Sequence, residues 1–174
     1  MANDIIHKNA TITFLSTALS QNGRLDGLSS LAINFKLVRE LIQNFGYRPK
    51  AITLVKMYTS IFATALIATG LEDFDELEES LPQLGTSLLG TVPGLYFVLG
   101  SFTQGISNAF LTLRIGYIAV DYLLTAGQDF IRTETRKSAN RKALEKIGPL
   151  IKHATEMLPG YLRQAAQQII GPIS

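Results

Sequence analysis

Between Ser80 and Leu113 the chain runs for 34 residues without a charged side chain or a histidine. A segment so apolar has to be covered, by the rest of the protein or by lipid. About 20 apolar residues cross a bilayer as a helix, so length alone permits a span. The content argues against one. Pro82, Gly85, Gly90, Pro93, Gly94, Gly100 and Gly105 punctuate the run, with Gln83 and Gln104 among them. Small residues let helix backbones approach closely; Gly90 and Gly94 have the spacing of such a contact, weakened by Pro93 between them. The run reads as two tightly packed helices, about 83–92 and 94–124.

Helical periodicity continues on both sides. The spacing predicts a first helix over about Asp4 to Leu19, capped by Asn3 or Asp4, and a turn at Gln21-Asn22-Gly23. A second helix is expected over about Asp26 to Phe45, closed by Gly46 in the left-handed conformation. Its apolar stripe reads Leu28, Leu31, Ala32, Phe35, Val38, Ile42 and Phe45, with Arg39 falling in line and Asn34 at the edge. Pro49 starts a third helix, about Lys50 to Thr69, which is apolar nearly all round with Lys56 its only charge after Lys50; such a helix is expected at the centre of a bundle or in lipid. Leu71 to Leu81 combines one apolar stripe with six carboxylates. From Gln128 to Leu158 the chain is basic and amphipathic, broken into two helices at Gly148-Pro149, and a last helix is expected over Pro159 to Ile170. Nothing alternates as a strand should. The expected fold is therefore an all-α compact bundle of about six to eight helices, with a central apolar helix and a basic amphipathic C-terminal region (1–127 as one helical domain, 128–174 as the tail packed on or extending it).

Composition sets the limits on function. Apolar residues make up 47% and charged ones 17%, with mean hydropathy +0.20, between an ordinary globular protein and a membrane protein. With no cysteine, disulfides, thiol catalysis and thiolate metal sites are excluded. The net charge of +2 conceals a pattern: seven basic and three acidic residues in 1–70, six acidic and none basic in 71–113, nine basic and five acidic in 114–174. This layout suits self-packing or a charged partner. It does not suit nucleic acid, because the basic region is nearly free of stacking aromatics. The start of the chain lacks the features of a secretory signal.

Two stretches resemble a known family. Leu15-Ser-Thr-Ala-Leu-Ser-Gln-Asn-Gly-Arg-Leu-Asp26, then Asn34-Phe-Lys-Leu-Val-Arg39 and Phe45-Gly-Tyr-Arg-Pro49, is similar to the opening of the YcjF-type domain. Gln104-Gly-Ile-Ser-Asn108-Ala-Phe-Leu-Thr-Leu-Arg114-Ile-Gly116, with Asp121 seven residues on, resembles that family's second signature. Together they cover about residues 10–125. The resemblance implies a bacterial helical domain of unknown function, often preceded by a transmembrane hairpin or fused to, or encoded beside, a P-loop GTPase. This chain carries neither the hairpin ahead of the motifs nor a G-x-x-x-x-G-K-[ST] fingerprint. After the acid it has Leu123-Leu-Thr-Ala-Gly where an Arg-Pro is common.

The candidate site follows from charges on apolar helices. Arg114 and Asp121 project from one helix face about 10 Å apart, too far for a simple pair. A buried charge needs partners, so Asp26, Arg39, Asn108, Arg114 and Asp121 are expected to form a buried polar network, either fixing how helices pack or recognising a partner. Arg132, Arg136, Lys137, Arg141, Lys142 and Lys146 form a candidate membrane or partner surface, or simply a solvated helix face. The acidic run lacks the alternating ligands and glycine of a calcium loop. His7 and His153 are expected at the surface, and no nucleophile elbow accompanies the serines. No enzyme, metal or cofactor is expected. The leading expectation is a membrane-associated interaction domain at the cytoplasmic face of a bacterial inner membrane, with a GTPase or another protein as partner. The alternative is a soluble cytoplasmic bundle binding a protein or an apolar ligand in a cavity lined by 51–70 and 81–113, and a homo-oligomer suits either.

Overall fold

A Cβ built at Gly116 would stand 2.7 Å from Ile6 Cγ1, and one at Gly105 would stand 3.1 Å from the Phe14 carbonyl oxygen. Two helices meet at these glycines, α1 (Ala2–Leu19) and α4 (Leu99–Leu124). The remaining helices are α2 (Gly23–Asn44), α3 (Ala51–Ile67) and α5 (Arg132–Ile170). The structure is a computed structural model describing residues 1–19, 23–67, 99–125, 127, 130 and 132–170; among these the fold is all-α, with five helices and no strand. The expected acidic helix at 71–81 and the expected helix at 83–92 lie outside the described residues.

Contacts climb α1 as they descend α4, from Ile6 against Gly116 to Phe14 against Gly105, so the pair is antiparallel. Both α2 and α5 pack along this pair, and α3 rests mainly on α4. The centre of the bundle is therefore α4, whose Ile106, Phe110, Leu113, Ile115, Ile118 and Leu123 are all buried.

Of the two settings expected for the third helix, the centre of the bundle is therefore not the one it takes. Among the described side chains of α3 only Met57, Ile61, Thr64 and Ala65 are buried, with Leu54, Tyr58 and Phe62 partly covered, while Ile52 and Val55 remain 70% and 63% exposed. The physical reason is backbone access. The glycines of α4 admit α1 at close range, whereas α3 has no glycine and meets the bundle through larger side chains.

The stripe expected to bury α2 is also corrected. Its buried row is Ser30, Asn34, Leu37, Val38, Leu41 and Ile42, and Leu28, Leu31 and Phe35 are exposed. The helix carries two adjacent apolar rows, and α1 and α4 cover the one containing Leu37 and Leu41. The outer row is the one Arg39 continues, so that arginine interrupts nothing.

At its C-terminus α2 closes as expected. Gly46 has φ 74°, its N–H donates to the Gln43 carbonyl at 3.0 Å, and the Tyr47 N–H donates to Ile42 at 3.1 Å. These are the two bonds of a Schellman cap. The Tyr47 hydroxyl then donates to the Leu123 carbonyl at 3.1 Å, tying the α2–α3 corner to the end of α4.

The expected break at Gly148-Pro149 does not occur, since α5 is one helix of 39 residues. An interior proline costs about 3 kcal/mol through a lost hydrogen bond and a clash. Buried Ala143, Ile147, Leu150, Ile151 and Ala154 hold both halves against the bundle and offset it.

Replacing Gly116→Ala should lower unfolding stability by about 1–3 kcal/mol, measured by chemical denaturation. The penalty should shrink in an Ile6→Ala background, where the colliding branches are gone.

Candidate functional site

The α1–α4 interface holds polar groups as well as glycines. Asn9, Thr13 and Thr17 recur every fourth residue on α1, and all three are buried. Asn108 Nδ2 donates to Thr17 Oγ1 at 3.2 Å, and Asn9 Nδ2 reaches Glu40 Oε2 of α2 at 2.9 Å. The Thr112 hydroxyl lies 3.2 Å from Thr13 Oγ1 and 2.9 Å from the Asn108 carbonyl, so its one proton serves either acceptor. The residues match in size and pair their buried polar atoms, which makes the seam a register device. The repeating Asn-Thr-Thr spacing in α1 was the sequence signal for it.

The five residues expected to form one buried network are distributed differently. Arg114 is fully buried (0% exposed) and is the largest such side chain, its guanidinium 5.9 Å from the Phe110 ring centroid. Asn108 belongs to the seam. Asp121 sits at the rim, paired with Lys142 of α5 at 3.7 Å; burial pushes its carboxyl above the ordinary carboxylate range and the lysine opposes that shift. Arg39 is exposed on α2. The Asp26 side chain lies outside the described ones.

The basic residues of the C-terminal region also divide. Lys142 turns inward to Asp121 and lies 5.8 Å from the Tyr117 ring centroid, and Arg136 is half-buried. Lys137, Arg141, Lys146 and Lys152 are exposed, and so are Glu134, Glu145 and Glu156. This outer side of α5 is a mixed-charge solvated face, without the dense single sign an anionic surface would select. The Arg132 side chain is not among the described ones.

A stronger candidate is the outer side of α2 and α3. Leu28, Leu31 and Phe35 on α2 and Ile52, Val55 and Leu66 on α3 are exposed. Phe35 stacks on Phe62 at 4.8 Å and leans on Tyr58 at 5.2 Å, while the Tyr58 hydroxyl donates to the Phe35 carbonyl at 3.0 Å. Burial raises the Tyr58 hydroxyl's pKa, and nearby Arg39 pulls it back. Exposed Lys36, Arg39, Arg48, Lys50 and Lys56 surround these apolar groups. Among the described side chains of these two helices the acid is Glu40, which Lys36 meets at 3.7 Å. The other four cations have no ion pair among the described residues. At the corner, cavities of about 620 Å³ and 220 Å³ share Tyr47, Arg48 and Pro49 as a common wall.

His7 and His153, 146 positions apart in sequence, line one groove of about 470 Å³ between α1 and α5, beside Lys8 and Met157. Burial holds the His7 ring below its ordinary pKa of 6.5; Lys146 pushes it further down, and Asp4 opposes both. Among the described residues no three histidines or carboxylates gather as a metal-ligand set.

Two predictions follow from these environments. The unfolded chain protonates His7 more readily than the folded one, so the stability tied to its neutral ring is present above pH 6.5 and lost as pH falls below it. The melting temperature should drop between about pH 7 and pH 5, and drop less in His7→Gln. Arg114→Ala should cost about 3–5 kcal/mol by calorimetry, because it opens a large cavity and strips a buried site of its charge; a fully stable variant would place Arg114 in a recognition role instead.

A family model described as a domain of unknown function (DUF697) matches residues 1–148. No curated protein and no solved structure matches the chain. Since the match takes in α1 to α4 and the first part of α5, the chain belongs to the DUF697 family.

Proposed function

We propose that this chain is a non-enzymatic, membrane-associated interaction domain of the YcjF type. It lies against the cytoplasmic face of a bacterial inner membrane and presents its remaining surface to a P-loop GTPase or another protein partner. The observation that carries the reading is the α2–α3 face, where exposed Leu28, Leu31, Phe35, Ile52, Val55 and Leu66 stand among cations with no described ion pair. Apolar side chains enter the boundary between headgroups and acyl chains, and each lysine or arginine near an anionic leaflet adds about 1 kcal/mol. No helix among the described residues is long and apolar enough to cross a membrane, so the proposed attachment is adsorption in the plane of the interface. The YcjF-type motifs support the GTPase as the class of partner.

A second reading, a soluble module taking a protein or an apolar ligand, draws on the 220 Å³ cavity whose wall includes Met57, Tyr122 and Leu123. Co-flotation separates the two. The purified chain should float with vesicles of phosphatidylcholine and phosphatidylglycerol and remain behind with phosphatidylcholine alone. Ile52→Ser with Val55→Ser, both on exposed positions, should weaken binding by about tenfold or more. Failure of the wild-type chain to float overturns the membrane reading, and a concentration-dependent dimer abolished by the same pair would assign the face to a second copy.

A further inference from the structure

The corner between α2 and α3 brings two guanidinium groups to one cavity. Arg39 and Gln43 line it from the last turns of α2, and Arg48 and Pro49 line it from the connection, with Leu54 of α3 opposite. Among the described residues no acid lines it. Glu40, the nearest acid along α2, accepts from Asn9 at 2.9 Å and meets Lys36 at 3.7 Å. The carbonyls of Ile42 and Gln43, which would repel an anion at a helix C-terminus, are occupied by the Tyr47 and Gly46 N–H groups.

Two arginines on one cavity repel each other unless an anion lies between them. We infer that this corner binds the phosphate of an anionic phospholipid headgroup, held by the Arg39 and Arg48 guanidiniums. The inference rests on the membrane reading above and names the ligand of that same surface. A guanidinium presents a planar fork of donors that matches phosphate oxygens two at a time. The position also fits. Arg39 lies one turn beyond exposed Phe35, about 6 Å along the helix, and Arg48 lies four residues before exposed Ile52. With the apolar row in the acyl boundary, the long side chains of both arginines can carry their guanidiniums up to headgroup depth. The backbone that carries Arg48 is held by the Gly46 cap on one side, by Pro49 on the other, and by the Tyr47 hydroxyl on the Leu123 carbonyl. The cavity, about 620 Å³, has room for the headgroup.

The test compares charge-matched pairs on the full chain with phosphatidylcholine vesicles containing phosphatidylglycerol. Arg39→Gln with Arg48→Gln should weaken binding about thirtyfold. Lys137→Gln with Arg141→Gln, the same charge change on α5, should weaken it about threefold or less. Equal losses from the two pairs would reduce the effect to bulk charge and overturn the site. Arg39→Lys with Arg48→Lys keeps the charge without the fork and should regain only part of the binding; full rescue also overturns it. Glycerol 3-phosphate, titrated against the chain while the backbone amide shifts of Gly46 and Arg48 are followed, distinguishes the source. Weak saturation confined to the corner supports a headgroup site. Tight binding of the free phosphate, undiminished without vesicles, overturns lipid as its occupant. A wild-type chain that never floats sinks the membrane reading and this inference with it, whereas flotation unaffected by Arg39→Gln with Arg48→Gln sinks this inference alone.

Discussion

The rest of the bundle depends on the close approach of α1 to α4. Gly116 receives Ile6, Gly105 receives the backbone and ring of Phe14, and Thr13, Thr17, Asn108 and Thr112 pair across the space between. Glycine permits the distance, and the threonine and asparagine hydroxyls and amides select the register, because sliding one helix by a turn would leave buried donors without acceptors. An interface built this way has little tolerance for volume. It also leaves α4 with its other sides free, and α2, α5 and α3 each take one.

Once α4 is central, the fate of the other apolar helices is settled by what remains to be covered. Met57, Ile61, Thr64 and Ala65 of α3 are buried and Leu54, Tyr58 and Phe62 pack partly against the core, while Ile52, Val55 and Leu66 face outward. On α2 two apolar rows compete and the inner one wins. The result is an outer face of aliphatic and aromatic groups left exposed among the described residues, supported by the Phe35, Tyr58 and Phe62 rings. Exposed apolar groups of this extent on a bundle with an ample core point to a surface kept for something else.

Charge is sorted by the same packing. Lys142 is drawn in to Asp121 at the rim of the core, and exposed Lys137, Arg141, Lys146 and Lys152 share the outside of α5 with Glu134, Glu145 and Glu156. The C-terminal region, the most basic by composition, thus offers a mixed face. Among the described side chains of α2, α3 and the segment joining them, Lys36, Arg39, Arg48, Lys50 and Lys56 are exposed and the acid Glu40 is half-buried. Arg114 at the centre is the exception to every surface rule, a guanidinium fully enclosed between layers and beside the Phe110 ring.

Local chemistry was legible in the residues themselves. The all-α class follows from 3.6-residue periodicity without alternation, the end of α2 from a glycine whose positive φ few other residues adopt, and the absence of thiol chemistry from the absence of cysteine. Arg114 and Asn108 stood out as polar groups on an apolar helix, and both are in the interior polar structure. What the tertiary fold alone decided was which of several apolar rows is inside. Periodicity defines faces relative to one another; a face becomes core only when a neighbour covers it, and the glycines gave α1 and α4 that priority. Hence Leu28, Leu31 and Phe35 read as core and stand outside, and a helix expected at the centre lies at the edge. His7 and His153 share a groove, and Arg39 and Arg48 a cavity, because helices distant or reversed in sequence are brought side by side, a proximity that no residue spacing encodes.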